Sequence, residues 1–387
     1  MVSRRALLAL TLVFLGGPAA ARAQAKAPAP EAAPASFEDL ARRAEEARQA
    51  GRLDEAESLY ERGLALRPRW AEGLWALGTI AYDRDLAAEC RDAFRRLCDV
   101  EPAMAPAWGL RGLCEFRLRA FEPAHEHVEK ALSLGMPPSE TLGRVVLYHH
   151  ALLLVREAKF DLAIAPLTSI LQFQAATREV ETACGLVILR RPTLPGEIPA
   201  PDRAFVQEAG GAYCALLGRH TDDAVRRFEA LVAKRPRERH LHYALGLALA
   251  QRGSADSLDQ YRREVELFPD EVLARVELGF GLVARGREVE AIAPAEEAVR
   301  LAPGLFATHL VLGRALAATG RLDRGIPELE AAAAMQPQIP AIHLALARAY
   351  AQAERKADAD RENATFRALD SARRGPSSGS PPPPEAP

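Results

Sequence analysis

The chain has 387 residues, 49% of them hydrophobic and 26% charged, with 50 basic side chains against 52 acidic ones and a formal net charge of -2. That is enough apolar material for a large buried core, and too even a charge to imply a nucleic-acid partner. The first 23 residues carry Arg4 and Arg5, then an apolar run from Ala6 to Gly17, then Pro18 and the small-residue stretch Ala21-Arg22-Ala23. This pattern predicts a cleavable secretory signal cut after Ala23, hence an exported chain, periplasmic or extracellular. The run is about a dozen residues, short of the ~20 that a spanning helix needs, and no later stretch is uniformly apolar, so no membrane span is expected in the mature chain. Loss of Arg4, Arg5 and Arg22 takes the charge from -2 to -5. No cysteine follows the cleavage site, which argues against a lipoprotein.

Residues 24–36 and 371–387 are rich in proline and poor in large apolar side chains, as expected of disordered tethers. Between them a small residue returns at Ala44, Gly78, Gly112, Ala151, Gly185, Ala212, Gly246, Gly279, Gly313 and Ala347, mostly 34 residues apart. A period of that length predicts stacked helical hairpins, each unable to bury its apolar face without its neighbour. In residues 37–70, Leu40, Ala44 and Ala47 mark a first helix and Leu53, Ala56, Tyr60 and Gly63 a second, with a turn at Ala50-Gly51-Arg52 and a stop at Pro68. The columns recur at 71–104, 105–138, 205–238, 272–305 and 306–339. A large side chain in the small column, where two helices cross, is expected to cost about 1 to 3 kcal/mol by overpacking.

Leu77-Gly78, Leu278-Gly279 and Leu312-Gly313, together with these alanines, aromatics and prolines, resemble the tetratricopeptide repeat family over residues 37–370. The resemblance implies an all-α fold: a right-handed α-solenoid whose first helices line a concave groove and whose second helices form the outer wall. Five extra residues, Ser139 to Gly143, are expected to lengthen the first helix of the repeat at 144–177. The repeat at 239–271 is one residue short in its turn, so Ser257 and Leu258 straddle the alanine column. After a half-repeat at 178–191, Pro192 to Pro201 replaces the partner helix, and its four prolines predict a non-helical connector over 192–202. The segment either covers the apolar faces left by the missing helix or projects into the groove as a gate. The stack is thus read as two blocks, 37–191 and 203–370, with residues 340–370 as a polar cap.

Five cysteines in an exported chain raise the question of disulfides. Cys90 and Cys98 on one helix lie about 12 Å apart by rise alone, beyond the reach of a bridge. Cys114, Cys184 and Cys214 fall on first helices of different repeats, where pairing of neighbours stays open beside the reading as small buried residues.

No phosphate-cradling loop, nucleophile elbow or pair of CxxC motifs is present, so no enzyme, cofactor or metal is expected. The stretches His125-Glu126-His127 and His240-Leu241-His242 do not converge, because residues two apart on a helix do not face each other, and adjacent His149 and His150 diverge. The basic stretch around Arg226, Arg227 and Lys234 is interrupted by acids and reads as a solvated face.

The family geometry implies a groove lined by Trp75, Thr79 and Tyr82; Leu113, Phe116 and Arg117; Tyr148, His149, Leu152 and Arg156; Tyr213; His240, Tyr243 and Leu247; Phe280; Arg314; and Arg348. The lysines and asparagines with which members of the family hold a C-terminal carboxylate are absent from these columns. Aromatic rings on such a wall suit an apolar protein or peptide segment, which makes a non-catalytic scaffold the expected function. A cell-wall polysaccharide binder is the alternative, since rings also stack on sugars, and an enzyme would need convergent titratable groups that the spacing does not offer.

Overall fold

The computed structural model describes residues 36–374, and the expected signal, most of the first tether and the tail from residue 375 lie outside the described residues. Within that range there are nineteen α-helices, one 3-10 turn and no strand. Contacts divide the chain between Arg203 and Ala204 into two compact units. No described helix is long and apolar enough to cross a membrane.

The first unit holds α1 (Phe37–Gln49), α2 (Leu53–Leu66), α3 (Ala71–Asp83), α4 (Ala87–Val100), α5 (Ala105–Arg117), α6 (Phe121–Ser133), α7 (Thr141–Arg156), α8 (Phe160–Phe173) and α9 (Arg178–Ile188). Consecutive helices pair as hairpins and each hairpin packs on the next. First helices of successive hairpins also touch, α5 with α7 and α7 with α9, whereas second helices make no comparable contact. First helices therefore form the inner side of the stack.

The small column works by close approach. A Cβ on Gly78 would stand 2.7 Å from the Phe94 ring, and one on Gly112 would stand 2.8 Å from Val128, in both cases within one hairpin. Phe94 is fully buried there, a burial worth roughly 1.5 to 3 kcal/mol. The turn after each first helix has its own column in the left-handed region. Gly51 occupies it at φ 72°, but Asp85 (63°), Arg119 (59°) and Ala158 (57°) occupy it in the next three hairpins. Glycine is thus optional at this place, and packing of the two helices imposes the conformation on side chains that disfavour it.

Several expectations are corrected. Ser36, assigned to the tether, is the N-cap of α1, its hydroxyl accepting from the Asp39 amide at 3.2 Å. Only three of the five inserted residues, from Thr141, extend α7. The proline-rich segment is not free of helix: Pro195–Glu197 forms a 3-10 turn, and α10 (Ala200–Leu217) begins inside the supposed connector. Proline is compatible with both, since the first turn of a helix has no use for its missing N–H. Leu194 and Ile198 are buried, so the segment covers apolar surface. The Glu197 carboxylate accepts from the Leu194 amide at 3.0 Å and pairs with Arg119 at 2.5 Å, fastening it to the α5–α6 turn. Cys90 on α4 and Cys114 on α5 form a disulfide with Cα atoms 6.1 Å apart, a pairing across a hairpin junction. Cys98 and Cys214 keep buried thiols, and burial pushes that of Cys98 up to about 11.

The second unit continues with α11 (Thr221–Lys234), α12 (Leu241–Gln251), α13 (Ser257–Leu267), α14 (Val272–Val283), α15 (Glu288–Leu301), α16 (Phe306–Ala318), α17 (Leu322–Met335), α18 (Pro340–Gln352) and α19 (Lys356–Arg374). Here too first helices touch in series, α12 with α14, α14 with α16 and α16 with α18. The short turn before α13 buries both Ser257 and Leu258. Gly279 departs from the expected crossing within its hairpin: its missing Cβ faces Val311 of the following first helix, at 2.6 Å. α19 runs four residues past the expected end of the cap at 370, to Arg374.

One junction device was not anticipated. His309 Nε2 lies 2.9 Å from the Pro303 carbonyl, His343 Nε2 lies 2.8 Å from that of Pro337, and His242 Nε2 lies 3.1 Å from that of Pro236. In the first unit the Trp108 indole donates to the Pro102 carbonyl at 2.9 Å in the same column. Each bond ties the start of a first helix to the end of the preceding hairpin.

Candidate functional site

The inner face of the first unit is an aromatic row with arginines laid over it. Trp75 is half-buried and packs edge-on against Phe94, with centroids 5.7 Å apart. The Thr79 hydroxyl is taken up by its own helix, lying 3.0 Å from the Trp75 carbonyl and 2.9 Å from that of Ala76. The Arg117 guanidinium lies 3.8 Å over the Tyr82 ring, and its Nη1 donates to the Tyr82 carbonyl at 2.8 Å. Phe116 meets Phe121 at 5.5 Å and His149 at 4.8 Å, and Tyr148 meets His149 edge-on at 5.3 Å. Burial holds the His149 imidazole down to about 4, so near neutral pH it is uncharged and donates through Nδ1 to the Val145 carbonyl at 2.8 Å. Arg156 covers the Phe121 ring at 4.1 Å.

Two residues expected in this lining are not there. Leu113 (1% exposed) and Leu152 (3%) are core residues that hold the first helices together.

In the second unit Tyr213 (5%) and His240 (9%) are likewise buried. His240 is the N-cap of α12 at φ 65°, and the buried Glu264 carboxylate from α13 accepts from its amide at 2.5 Å and from the Tyr243 amide at 3.1 Å. Glu264 thus caps the neighbouring helix, and burial raises its pKa. Tyr243, Leu247, Phe280 and Arg314 are half-buried and Arg348 is exposed. Tyr243 leans on Tyr261 at 6.2 Å, and Arg314 lies 5.6 Å from the Phe280 ring. Burial, then the charge of Arg348, lowers the Arg314 pKa, which marks two guanidinium groups close together. Glu277 on α14, not singled out by sequence, is also half-buried, and burial raises its carboxyl pKa.

The histidines also meet in a way that linear spacing does not reveal. His149 and His150 diverge as expected, but His150 turns toward His125 of α6, with ring centroids 5.4 Å apart and Glu129 beside both. His127 instead stacks on Trp108 at 5.3 Å and hydrogen-bonds the buried Glu115 at 2.6 Å, which also takes Arg111 at 3.1 Å. Trp108, Glu126, His127, Glu129, Lys130 and Ser133 line a shallow recess of about 530 Å³ on this side of the hairpin.

The family described as tetratricopeptide repeat matches residues 41–99, 217–257 and 310–373, in both units and on helices of the pattern just described. These three stretches carry tetratricopeptide repeats. No curated protein matches it. Among solved structures it is similar to MamA AMB-1, at 22% identity over 42% of this chain and 97% of that one with a TM-score of 0.38. It is also similar to a MamA RS-1 ArsTM double mutant, at 19% identity over 42% and 92% with a TM-score of 0.38. The tetratricopeptide architecture is therefore set by the repeat columns and the helices they form, and these partial matches add no argument about a partner.

Proposed function

We propose that this tetratricopeptide protein is a non-catalytic, exported scaffold that holds an apolar protein or peptide segment on the first-helix face of its hairpins. The observation that carries the reading is the row of half-buried rings Trp75, Tyr82, Phe116 and Tyr148 on successive first helices. Such rings supply large contact area at low entropic cost, and few residues of this kind dominate an interface. Arg117 and Arg156 already cover the faces of Tyr82 and Phe121, which favours a peptide that packs on ring edges over a sugar that needs an open face. Export is supported by the signal-like pattern of residues 1–23 and by the Cys90–Cys114 bridge, since disulfides persist in oxidising compartments.

A binding panel of unstructured exported-protein peptides and cell-wall glycans tests the reading. Tyr82→Ala with Tyr148→Ala, in the first unit, and Tyr243→Ala with Arg348→Ala, in the second, are compared with wild type after checking helicity. Loss of peptide affinity by roughly tenfold or more in one pair is expected. Equal peptide capture by all three proteins, or selective glycan capture, sinks the proposal. N-terminal sequencing of the chain recovered outside the cytoplasm should begin at Gln24.

A further inference from the structure

His125 and Glu129 stand four residues apart on α6, hence on one helix face, and His150 reaches them from α7. His125 Nε2 lies 3.3 Å from Glu129 Oε1, and His150 Nε2 lies 3.8 Å from the same oxygen. One ligand atom from each residue falls within 4.8 Å of the others. Four ligands at ~2.0 to 2.1 Å around a tetrahedral ion stand about 3.3 Å apart, so small side-chain rotations bring these three to that spacing.

The nitrogens are also chemically ready. Both Nε2 atoms are buried and lack a hydrogen-bond partner, which is rare for buried polar atoms in folded proteins. His125 Nδ1 lies 2.6 Å from Glu157 Oε1, and a carboxylate only accepts, so Nδ1 carries a proton there and Nε2 is the nitrogen that faces Glu129 and His150 and would ligate a metal. A histidine oriented by a carboxylate behind it, with its other nitrogen free, is the usual arrangement behind a bound metal. Lys159 in turn holds the second oxygen of Glu157 at 2.7 Å. Glu129 is 60% exposed and lines the shallow recess, so the carboxylate end of the cluster is open to solvent while both histidine nitrogens are buried.

We propose that His125, Glu129 and His150 bind one divalent first-row transition-metal ion of the zinc class. Two imidazoles and one carboxylate select such an ion over Mg²⁺ or Ca²⁺, which take oxygen ligands. The ligands come from the second helix of one hairpin and the first helix of the next, on either side of the longer loop before α7, so the ion clasps that junction. With three protein ligands, a fourth position remains for water or for a side chain of a bound partner.

The test uses the untagged chain, metal-stripped, titrated with Zn²⁺ against a chromogenic chelator and with Co²⁺ by visible absorption. Wild type should bind one equivalent with the d–d bands of a nitrogen- and oxygen-ligated ion, and Zn²⁺ but not Mg²⁺ should raise the melting temperature. His150→Ala should abolish both effects. Glu129→Gln, exposed and therefore tolerated by the fold, should weaken binding at least tenfold, and Glu157→Gln by roughly 10- to 100-fold through loss of orientation. No stoichiometric binding by wild type overturns the proposal. So does binding that survives both His150→Ala and Glu129→Gln, or a Co²⁺ spectrum with sulfur charge transfer, which would place the metal on cysteines.

Discussion

His343 Nε2 lies 2.8 Å from the carbonyl of Pro337, six residues earlier, and its Nδ1 lies 2.7 Å from Glu362 on α19. The proline carbonyl ends one hairpin and Glu362 belongs to the next, so a single ring serves both sides of the last junction. His343→Ala should destabilise the second unit by about 1 to 2 kcal/mol, the usual loss for a hydrogen bond whose buried partner is left unmatched. Hydrogen exchange should quicken in α18 and α19 ahead of the rest of that unit. Unchanged exchange there would show that the ring is a bystander.

Ala158 at φ 57° sits in the turn column that Gly51, Gly253, Gly286 and Gly320 fill elsewhere. The left-handed conformation costs a residue with a Cβ about 1 to 2 kcal/mol, partly offset by the greater unfolded-state freedom of glycine. Ala158→Gly should therefore raise stability by roughly 0.5 to 1 kcal/mol, read as an upward shift of the denaturation midpoint. A lower midpoint would mean that the turn is set by something other than backbone sterics.

The bridge between Cys90 and Cys114 closes a loop with a sequence separation of 24. By chain entropy such a closure restricts the unfolded state by about 3 kcal/mol. The double variant Cys90→Ala, Cys114→Ala should melt earlier by that order, and wild type should fall to the same midpoint in reductant. If reductant leaves wild type unmoved, the thiols are not joined in solution.

The Arg48 guanidinium, with burial opposing it and Gln49 and the Tyr60 hydroxyl assisting, holds the Glu45 carboxyl down to about 2. A folded-state pKa below the unfolded value of ~4.3 means that the unfolded chain binds the extra proton between those limits. The contribution is complete above about pH 4.3 and disappears as pH falls toward 2. Because the side chain is 42% exposed, solvent screening limits it to roughly 0.5 kcal/mol. Glu45→Gln should be less stable than wild type at pH 7 and nearly equal to it near pH 2. A stability difference that stays constant across that range would refute the linkage.

The hairpins were legible in the sequence because each column is a local packing demand repeated many times. Gly78 against Phe94, or Gly313 with a missing Cβ 2.7 Å from Leu329, can be read from a glycine and a large side chain at the right separation. The lining was only partly legible. Columns say which helix faces inward, but Leu113, Leu152, Tyr213 and His240 are buried because neighbouring helices overhang them, and that depends on how far each hairpin is rotated on the last. The meeting of His125 with His150 was hidden for the same reason, since it follows from the seating of α7 on α6 after an irregular loop. The bonds from His242, His309 and His343 to prolines six residues back had a readable signal, namely an aromatic N–H donor at one column, yet that column holds Trp108 in the first unit and is broken by Leu74 and Arg275.

The position of the disulfide has a mechanical consequence. Repeat arrays ordinarily fray inward from their tips, one module at a time, because only adjacent modules support each other. A covalent tie from α4 to α5 stands in the path of that unzipping: an advancing front from the amino end can loosen α1 and α2, but α4 stays tethered to α5 when it peels away. Under tension or heat, the bond keeps the detached portion within recapture distance and favours re-zipping over irreversible loss.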